Sequence, residues 1–272
     1  MTVHNQTDVL KRNNVKIKGN GDQPIMFAHG YGCDQNMWRF VFPAFLDDYK
    51  IILFDHVGAG NSDELCYDKE KYSSLQGYAD DILEICEVLK LKDIILIGHS
   101  VSSMIALLAA TKDPSKFANI IMIGPSPCYI NKNGYQGGFN QEDIDELLST
   151  LDNNYLGWAS NMAPAIMGNH ERPELGEELT NSFCRTNPEI AKHFAKVTFL
   201  SDNRDDLVKL KIPTLIIQCK EDAITPIGVA EYVYNKISKS KLRIIDATGH
   251  CPNLSAPEET IKAIKEYLLK AD

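Results

Sequence analysis

The sequence predicts an α/β fold in which a mostly parallel sheet is covered by helices on both faces. Short runs rich in β-branched residues recur along its 272 residues, and most are continuously apolar, as in strands buried on two sides. Helical patterns lie between several of these runs, and this alternation favours parallel strands with crossover helices. The chain is long enough for a sizeable core, as one large domain or two small ones.

Each predicted element follows from its own pattern. The predicted strands are VKIKG, PIMFAHG, YKIILFDH, DIILIGHS, NIIMIGPSP, PTLIIQCKED and KLRIIDATGH. The segment YADDILEICEVLKL places Ile82, Ile85 and Leu89 on one stripe, which predicts an amphipathic helix. The C-terminal segment SAPEETIKAIKEYLLK opens with Ser255, three residues before Glu258, and this spacing predicts a capping box at the start of a final helix.

One region, residues 129–202, breaks the alternation. It contains no convincing strand, and three segments of it read as consecutive helices separated by Gly, Asn and Pro: NQEDIDELLSTLDNNYLGWASNMAPAIM, RPELGEELTNSFCRTN and PEIAKHFAKVTFLSD. Because this region lies between two predicted strands, we expect it to cover the sheet as a lid. The expected organisation is a first core part at 1–128, the lid at 129–202 and a second core part at 203–272.

Charge and composition exclude several classes of function. Acidic residues outnumber basic ones by 37 to 28, and a surface with a formal net charge of −9 repels phosphate backbones and anionic lipid. We therefore expect no nucleic-acid partner and no membrane partner. No segment approaches the roughly 18 consecutive apolar residues of a membrane span. The polar start MTVHNQTDVLKRNNVKIKG lacks the apolar region of a signal peptide.

The cysteines and other motifs indicate a cytoplasmic protein with no metal and no cofactor. The seven cysteines are odd in number and scattered, so neither a disulfide framework nor a structural zinc site is expected. The metal-binding motif H-E-x-x-H does not occur. The segment HVGAGNSD imitates a dinucleotide-binding loop, but Asp63 stands where the third glycine belongs, so no nucleotide cofactor is expected.

The strongest chemical signal is DIILIGHSVSSMIALLAA, residues 93–110. An apolar run ends at Gly98, passes through His99 and Ser100, and restarts at once as a helical pattern. A serine on so sharp a turn is typical of the nucleophile elbow of α/β-hydrolases, whose motif is G-x-S-x-G. Ser102 occupies the last glycine position of that motif. Because serine is small, we expect the strand and the helix still to pass closely there.

The order of polar residues after later strands predicts a catalytic triad. A serine hydroxyl becomes a good nucleophile only when an oriented base accepts its proton. In α/β-hydrolases the groups follow one another as Ser, then Asp or Glu, then His, each at the carboxyl end of a strand. Asp222 follows TLIIQCKED and His250 follows LRIIDATGH, so the predicted catalytic residues are Ser100, Asp222 and His250. The competing acids of SDNRDD precede this strand instead of following it.

The loop AHGYGCDQNMW, directly after the strand PIMFA, completes the predicted site. A tetrahedral oxyanion needs two backbone N–H donors, one from the residue after the nucleophile and one from a loop after an earlier strand. Val101 and Tyr31 occupy these two positions. The neighbouring Gly30 and Gly32 allow this backbone to approach a substrate closely.

Strings distributed over essentially the whole chain carry a family resemblance. They are HGYGCDQNMW, GHSVSSM, IGPSPCY, GGF, NYLGWA, FAKVTFLSDNRDDL, PTLIIQCKEDAITP and GHCPNLSAPEET. The chain resembles the RsbQ-like α/β-hydrolases, which regulate the bacterial energy-stress response, and their plant relatives, the karrikin and strigolactone receptors. In that family a G-x-S-x-S elbow is ordinary, whereas the position of Tyr31 commonly carries phenylalanine.

The resemblance also implies how a ligand is held. It implies an inserted, V-shaped lid of four helices over a hydrophobic pocket that ends at the nucleophile. The implied substrate-binding residues are Tyr31, Phe139, Trp158, Phe199 and Ile224. The additional hydroxyl of Tyr31 is expected to make the mouth of this pocket more polar.

Residues and resemblance together predict a serine hydrolase that acts on a small hydrophobic ester, lactone or enol-ether ligand. The resemblance further implies slow turnover and signalling in the sigma-B stress response, through a PP2C-type phosphatase that carries a sensor domain. Two alternatives stay open. One is a metabolic carboxylesterase or lactonase without a protein partner, and the other is a binding module that does not turn over its ligand.

Overall fold

A seven-stranded sheet forms the centre of the computed structural model, which describes residues 3–269 and their side chains from Asp8 onward. The strands are β1 (Lys16–Lys18), β2 (Pro24–Ala28), β3 (Lys50–Leu53), β4 (Ile94–His99), β5 (Phe117–Ile123), β6 (Thr214–Glu221) and β7 (Ser240–Thr248). Their order across the sheet is β1-β3-β2-β4-β5-β6-β7. Strand β1 runs antiparallel to β3, and the other five pairs are parallel. The prediction of a mostly parallel sheet is confirmed.

Helices cover both faces of this sheet, as predicted. The α-helices of the described residues are α1 (Val3–Arg12), α2 (Leu75–Val88), α3 (Val101–Lys112), α4 (Gln141–Asn153), α5 (Tyr155–Met167), α6 (Pro173–Arg185), α7 (Pro188–Phe199), α8 (Ile227–Lys236), α9 (Pro252–Ser255) and α10 (Pro257–Leu268). Apolar side chains of α2, α3 and α8 form a core on one face. The other face is covered by α10 and by short helical turns within residues 35–45.

Strand β4 explains why the predicted strands are apolar at every position. Successive side chains of a strand point to opposite faces of the sheet. Ile94 and Leu96 pack in the core formed with α2 and α3, whereas Ile95 and Ile97 pack in the core formed with α10. All four side chains are buried, and burial of each stabilises the fold by roughly 1.5–3 kcal/mol. A single polar residue in this strand would therefore be costly on either face.

The start of α10 differs from the prediction. The prediction of a capping box formed by Ser255 and Glu258 is wrong. Helix α10 begins at Pro257, after Ala256, and no side chain caps it. The four residues before Ala256 form the short helix α9, so the chain at Ser255 is helical and not extended as an N-cap requires. The Ser255 hydroxyl instead donates to the carbonyl oxygen of Thr248, at 3.4 Å.

Helices α4 to α7 form an insertion between β5 and β6, and we call them the helical insertion. The sequence pattern predicted three helical segments, and the first of them is divided into α4 and α5 at Asn154. The Asn154 side chain accepts a hydrogen bond from the Gly157 N–H, at 3.0 Å, and so caps the new helix. Asn154 is thus the residue that ends α4 and the residue that caps α5, so the first predicted segment forms two helices.

The two ends of the helical insertion lie side by side. Cys128 and Asp202 form an isolated antiparallel bridge, and the Asn203 N–H donates to the Pro127 carbonyl oxygen at 2.7 Å. The division into segments 1–128, 129–202 and 203–272 stays a prediction, and residues 1, 2 and 270–272 lie outside the described part of the chain. Within residues 3–269, no helix combines the length and apolar character needed to cross a bilayer.

Candidate active site

Ser100 lies alone between β4 and α3, in a strained backbone conformation. Its φ of 57° and ψ of −125° fall in a region that side chains other than glycine rarely adopt, which costs about 1–3 kcal/mol. The turn is possible because Gly98 has no side chain, since a Cβ there would lie 2.3 Å from the Ser102 carbonyl oxygen. The Ser100 N–H donates to the Ile123 carbonyl oxygen at 2.8 Å and anchors the turn to β5.

His250 contacts Ser100 from the end of β7. The His250 Nε2 lies 2.7 Å from the Ser100 Oγ, and its Nδ1 lies 2.8 Å from Asp222 Oδ2. Gly249 turns the chain at this point with a φ of +91°, and a Cβ on it would overlap the Met167 carbonyl oxygen. On its other side, the ring lies against Gly124, where a Cβ would come within 3.1 Å of the His250 Cε1. Two glycines therefore make the space that the imidazole occupies.

Asp222 is a buried carboxylate with a full set of hydrogen-bond donors. Its Oδ1 accepts from the N–H groups of Ile224 and Thr225, at 2.8 and 3.0 Å. Its Oδ2 accepts from the Thr225 hydroxyl at 2.8 Å and from the Gln218 side chain at 3.1 Å, besides facing His250. Burial alone would raise the pKa of Asp222, but His250 and the bonds from Thr225 outweigh it and hold this pKa below its ordinary value. The group is suited to orient an imidazole and to stabilise its charged form.

The loop of residues 29–33 presents a free backbone donor beside the nucleophile. A Cβ on Gly30 would lie 3.3 Å from the Ser100 Cβ, so this loop touches the elbow. The next N–H, of Tyr31, has no hydrogen-bond acceptor within the described residues. The N–H of Val101 belongs to the first turn of α3, where no acceptor within the helix exists. Both donors border Ser100, and their function as an oxyanion hole stays a prediction.

His29 fixes the peptide that carries the Tyr31 N–H. The His29 Nε2 accepts a hydrogen bond from the His56 N–H at 3.0 Å, so the ring proton is on Nδ1. That Nδ1–H donates to the Gly30 carbonyl oxygen at 2.9 Å. The carbonyl of Gly30 and the N–H of Tyr31 belong to one planar trans peptide and point in opposite directions. The hydrogen bond from His29 to the Gly30 carbonyl oxygen therefore fixes the direction of the Tyr31 N–H.

Ser102 has a larger role than the sequence indicated. We expected only a small residue at this position, but its buried hydroxyl donates to the His29 carbonyl oxygen and accepts from the His56 Nε2–H at 2.8 Å. The serine that replaces the usual glycine thus ties the elbow to the 29–33 loop. Burial lowers the pKa of His56, which keeps its ring neutral and able to take part in this arrangement.

His99, which precedes Ser100 in the elbow, holds the backbone of His250. Its Nε2–H donates to the His250 carbonyl oxygen at 2.7 Å. Burial, and then the neighbouring His250, lower the pKa of His99 to about 3, so the ring is neutral near pH 7. This contact positions the backbone of His250.

A small cavity of about 40 Å³ lies at Ser100. Its walls are Tyr31, Cys33, His99, Ser100, Tyr129, Ile166, Leu179, Phe183, Thr198, Phe199, Ile224, His250 and Cys251. These walls are mostly apolar and come both from the strand ends and from the helical insertion. The arrangement can hold a small apolar group beside an activated serine.

The chain matches known proteins over nearly its whole length. Residues 23–197 match the family model of the alpha/beta hydrolase fold. A karrikin insensitive 2 receptor of Petunia hybrida is 36% identical over 93% of this chain and 93% of the receptor. A strigolactone esterase of Arabidopsis thaliana is 33% identical over 97% of this chain and 98% of the esterase. This chain belongs to the alpha/beta-hydrolase family.

A solved structure supports the same assignment. A hydrolase from Oleispira antarctica has 43% sequence identity and a TM-score of 0.95 to this chain, over 97% of each of the two chains. The similarity includes the helical insertion, because so high a coverage leaves only a few residues unmatched. Family and fold together support hydrolase activity for this alpha/beta-hydrolase.

Two of the predicted pocket residues do not border the cavity of the hydrolase. Tyr31, Phe199 and Ile224 line it, and their part in substrate binding stays a prediction. Trp158 instead stacks on Phe183, with ring centroids 5.5 Å apart, and so supports a wall without forming one. Phe139 lies in the loop before α4, where its backbone pairs with Tyr129 and Asn131, and it packs against the core of the insertion.

The expectation for the Tyr31 hydroxyl is also wrong. It does not make the pocket mouth polar, because it points into the helical insertion and donates to the Ala191 carbonyl oxygen of α7, at 3.1 Å. Burial among aromatic rings raises the pKa of this phenol well above its ordinary value. The hydroxyl is therefore a neutral donor that links the 29–33 loop to α7.

Several cavity residues of the hydrolase were missed by the sequence analysis. Tyr129, Leu179, Phe183 and Thr198 line the cavity, yet each lies in a segment whose pattern indicated only a helix or a loop. Tyr129 is the exception that had a signal, since it follows GPSPC at the end of a strand, as the other site residues follow theirs. Within residues 3–269, no three His, Cys, Asp or Glu side chains are grouped so as to hold a metal ion.

Proposed function

We propose that the protein is a serine hydrolase that cleaves a small hydrophobic ester, lactone or enol-ether ligand. The observation that carries this proposal is the continuous contact from the Ser100 Oγ through His250 to Asp222, with distances of 2.7 and 2.8 Å. Hydrogen-bond lengths of this kind are those at which a base accepts the proton of a nucleophile. The predicted roles of Ser100, His250 and Asp222 follow from this contact.

In the first half of the reaction, the Ser100 Oγ forms a bond to the carbonyl carbon of the ligand while its proton passes to the His250 Nε2. Asp222 holds the Nδ1–H and stabilises the imidazolium that results. The carbonyl oxygen gains the negative charge of the tetrahedral intermediate. We assign its stabilisation to the N–H groups of Tyr31 and Val101, which border Ser100 from two sides.

In the second half, the intermediate collapses and the bond to the leaving oxygen breaks. The His250 Nε2–H gives its proton to that oxygen, and the alcohol or enol departs. The acyl group stays on the Ser100 Oγ. A water then loses a proton to His250 and attacks the acyl carbon, and the protonated His250 returns its proton to the Ser100 Oγ as the acid departs. All atoms and protons balance without a metal or a cofactor.

We propose further that residues 129–202 act as a lid. The support is that insertion residues such as Phe183, Thr198 and Phe199 complete the walls of a cavity that the strand ends leave open. Tyr31, Phe199 and Ile224 are the predicted residues that would contact the ligand there. An apolar wall of this kind excludes water and favours a hydrophobic ligand.

A receptor-like use of this chemistry is our proposal for the biological role. Relatives that share about a third of their residues with this chain carry the names of karrikin receptor and strigolactone esterase, and the strings GPSPCY and GHCP resemble the RsbQ-like bacterial branch. In this role a cytoplasmic hydrolase perceives a small ligand and acts on a PP2C-type phosphatase with a sensor domain in the stress response. The second candidate is a metabolic carboxylesterase or lactonase without a partner.

Pre-steady-state hydrolysis of p-nitrophenyl acetate tests the proposed chemistry. Wild type should release a burst of p-nitrophenol, and intact mass should show one acetyl group on the protein. Ser100→Ala should lose the burst, the adduct and turnover together, because the Ser100 Oγ is the hydroxyl that contacts the His250 Nε2. A Ser100→Ala variant that is folded and still turns over the ester would contradict the assignment.

The biological role needs a separate measurement. A signalling hydrolase should show slow turnover and should change the activity of a purified PP2C-type phosphatase with a sensor domain, in a way that Ser100→Ala abolishes. Rapid turnover of many esters, with no effect on such a phosphatase, would favour the metabolic alternative. The chemical assignment is unaffected by either outcome.

A further inference from the structure

Tyr31 belongs to two parts of the molecule at once. Its backbone N–H borders Ser100, while its phenol ring enters the helical insertion. There the ring contacts four aromatic rings with centroid distances of 5.7 to 6.3 Å, those of Trp158, Phe183, Phe194 and Phe199. Its hydroxyl donates to the Ala191 carbonyl oxygen of α7 at 3.1 Å.

The same loop is tied to α6 as well. The Ser182 hydroxyl donates to the Gly32 carbonyl oxygen at 2.8 Å, and this bond is buried. A Cβ on Gly32 would lie 2.2 Å from the Phe183 ring, so the loop and α6 are in close packing contact. A movement of the helical insertion is therefore transmitted to the backbone of residues 30–32, which carries the Tyr31 N–H.

The cavity is small, at about 40 Å³, so the length of the acyl group on Ser100 matters. We expect a six-carbon acyl group to press on the cavity walls more than a two- or three-carbon acyl group does. The wall formed by Thr198 and Phe199 belongs to α7, the helix that Tyr31 holds through Ala191.

We propose that the Tyr31 hydroxyl couples acyl size to the geometry of the oxyanion hole, and so selects esters of two- or three-carbon acids. The proposal rests on the serine-hydrolase function above. A long acyl group pushes α7 outward, the hydrogen bond from Tyr31 to Ala191 draws the 29–33 loop with it, and the Tyr31 N–H leaves the position where the oxyanion forms. Tyr31 thus acts through its side chain as a positioning residue for its own amide.

The consequence is that acyl length acts on rate constants. A tetrahedral oxyanion forms in both acylation and deacylation, so a long acyl chain lowers both rate constants more than it lowers the affinity for the ester. Phenylalanine at position 31 keeps the ring packing and removes only the hydroxyl. Without the bond, α7 can move while the loop stays in place.

Stopped-flow measurements with p-nitrophenyl acetate, butyrate and hexanoate test this coupling. Burst and steady-state phases give acylation and deacylation rate constants separately for wild type, Tyr31→Phe and a control, Tyr135→Phe. The control removes a phenol that donates to the Cys128 carbonyl oxygen at 2.6 Å, and its ring packs in the core of the helical insertion and against Tyr232. Thermal unfolding of each variant reports whether it is folded.

Wild type should deacylate the acetyl form faster than the hexanoyl form. In Tyr31→Phe the ratio of these two rate constants should fall about fivefold, the effect of one neutral hydrogen bond, and in Tyr135→Phe it should stay near the wild-type ratio. Equal deacylation of both acyl groups by wild type would overturn the size limit. An equal fall of the ratio in both variants would overturn the coupling, because general loosening of the insertion would then suffice. Failure to form any Ser100 adduct would instead overturn the proposed function, and the inference with it.

Discussion

The strand-end cluster of Ser100, Asp222 and His250 and the helical insertion enclose one cavity, but different forces hold them in place. In the cluster, each polar side-chain atom has a hydrogen-bond partner, and Asp222 accepts from several donors. In the insertion, aromatic rings pack against one another. Within the described residues, the Trp158 Nε1 and the Thr198 Oγ1 are buried without a hydrogen-bond partner.

This difference separates the chemistry from the choice of ligand. Hydrogen bonds are directional, so they fix angles and distances at the reacting atoms. Apolar contacts depend mainly on area and volume, so they fix the size of the space with less constraint on direction. We therefore expect substitutions in the strand-end cluster to change rate, and substitutions in the insertion to change stability or the range of ligands.

Asp222→Asn should have the largest effect, and it acts on the strand-end cluster alone. Loss of the carboxylate charge favours the wrong tautomer of His250, and kcat for p-nitrophenyl acetate should fall by roughly 10⁴. The fold should remain, because asparagine has nearly the same shape. Steady-state kinetics measure kcat, and circular dichroism shows whether the fold remains. Asp202→Asn is the control, since Asp202 pairs with Lys132 and Arg204 away from the cavity; comparable losses in the two variants would argue against the triad.

Ser102→Ala should have an intermediate effect on stability and rate together. The His29 carbonyl oxygen and the His56 Nε2–H lose their partner in a buried place, so the free energy of unfolding should fall by about 1–3 kcal/mol. Urea denaturation measures this value. Ser103→Ala is the matched control, because Ser103 is equally buried but its hydroxyl donates to the Gly98 carbonyl oxygen at the end of β4 instead of reaching the 29–33 loop. If the two variants lower kcat equally, the link from Ser102 to the 29–33 loop has no catalytic importance.

Asn154→Ala should have the smallest effect, and it is confined to the helical insertion. Loss of the helix cap should lower the free energy of unfolding by about 1 kcal/mol. Amide hydrogen exchange should accelerate at the start of α5, while kcat for p-nitrophenyl acetate stays at the wild-type value. Asn153→Ala is a control at the neighbouring exposed position, whose side chain makes a long contact with the Ser149 hydroxyl at 3.5 Å and caps no helix. A large fall of kcat in Asn154→Ala would show that the helical insertion controls the reaction rate as well as stability.

Much of the fold and the core of the site could be predicted because their signals are local. The strands are apolar on both faces, and that pattern is visible without knowledge of neighbours. Ser100, Asp222 and His250 each follow a strand closely, and parallel strands bring their carboxyl ends to one edge of the sheet. The structure brings these three side chains together, and the sequence order alone predicted their proximity.

The remaining features depend on partners that are distant along the chain. Ser102 bonds to His29, 73 residues away, and the Tyr31 hydroxyl bonds to a main-chain carbonyl 160 residues away. A backbone acceptor has no signature in the sequence, so the direction of that hydroxyl could not be inferred. The aromatic residues of the insertion share one core, and only the packing decides that Phe183 faces the cavity while Trp158 lies behind it.

The bridge between Cys128 and Asp202 has a consequence for how such proteins diversify. Because both ends of the helical insertion meet at this bridge, a replacement segment of another length closes the same gap, and the entropy of closing a loop increases only slowly with its length. The length of the insertion is thus free to change, whereas its contacts are not. A replacement segment has to supply new partners for the Tyr31 hydroxyl, the Gly32 carbonyl oxygen and the His250 N–H, which the present helices hold.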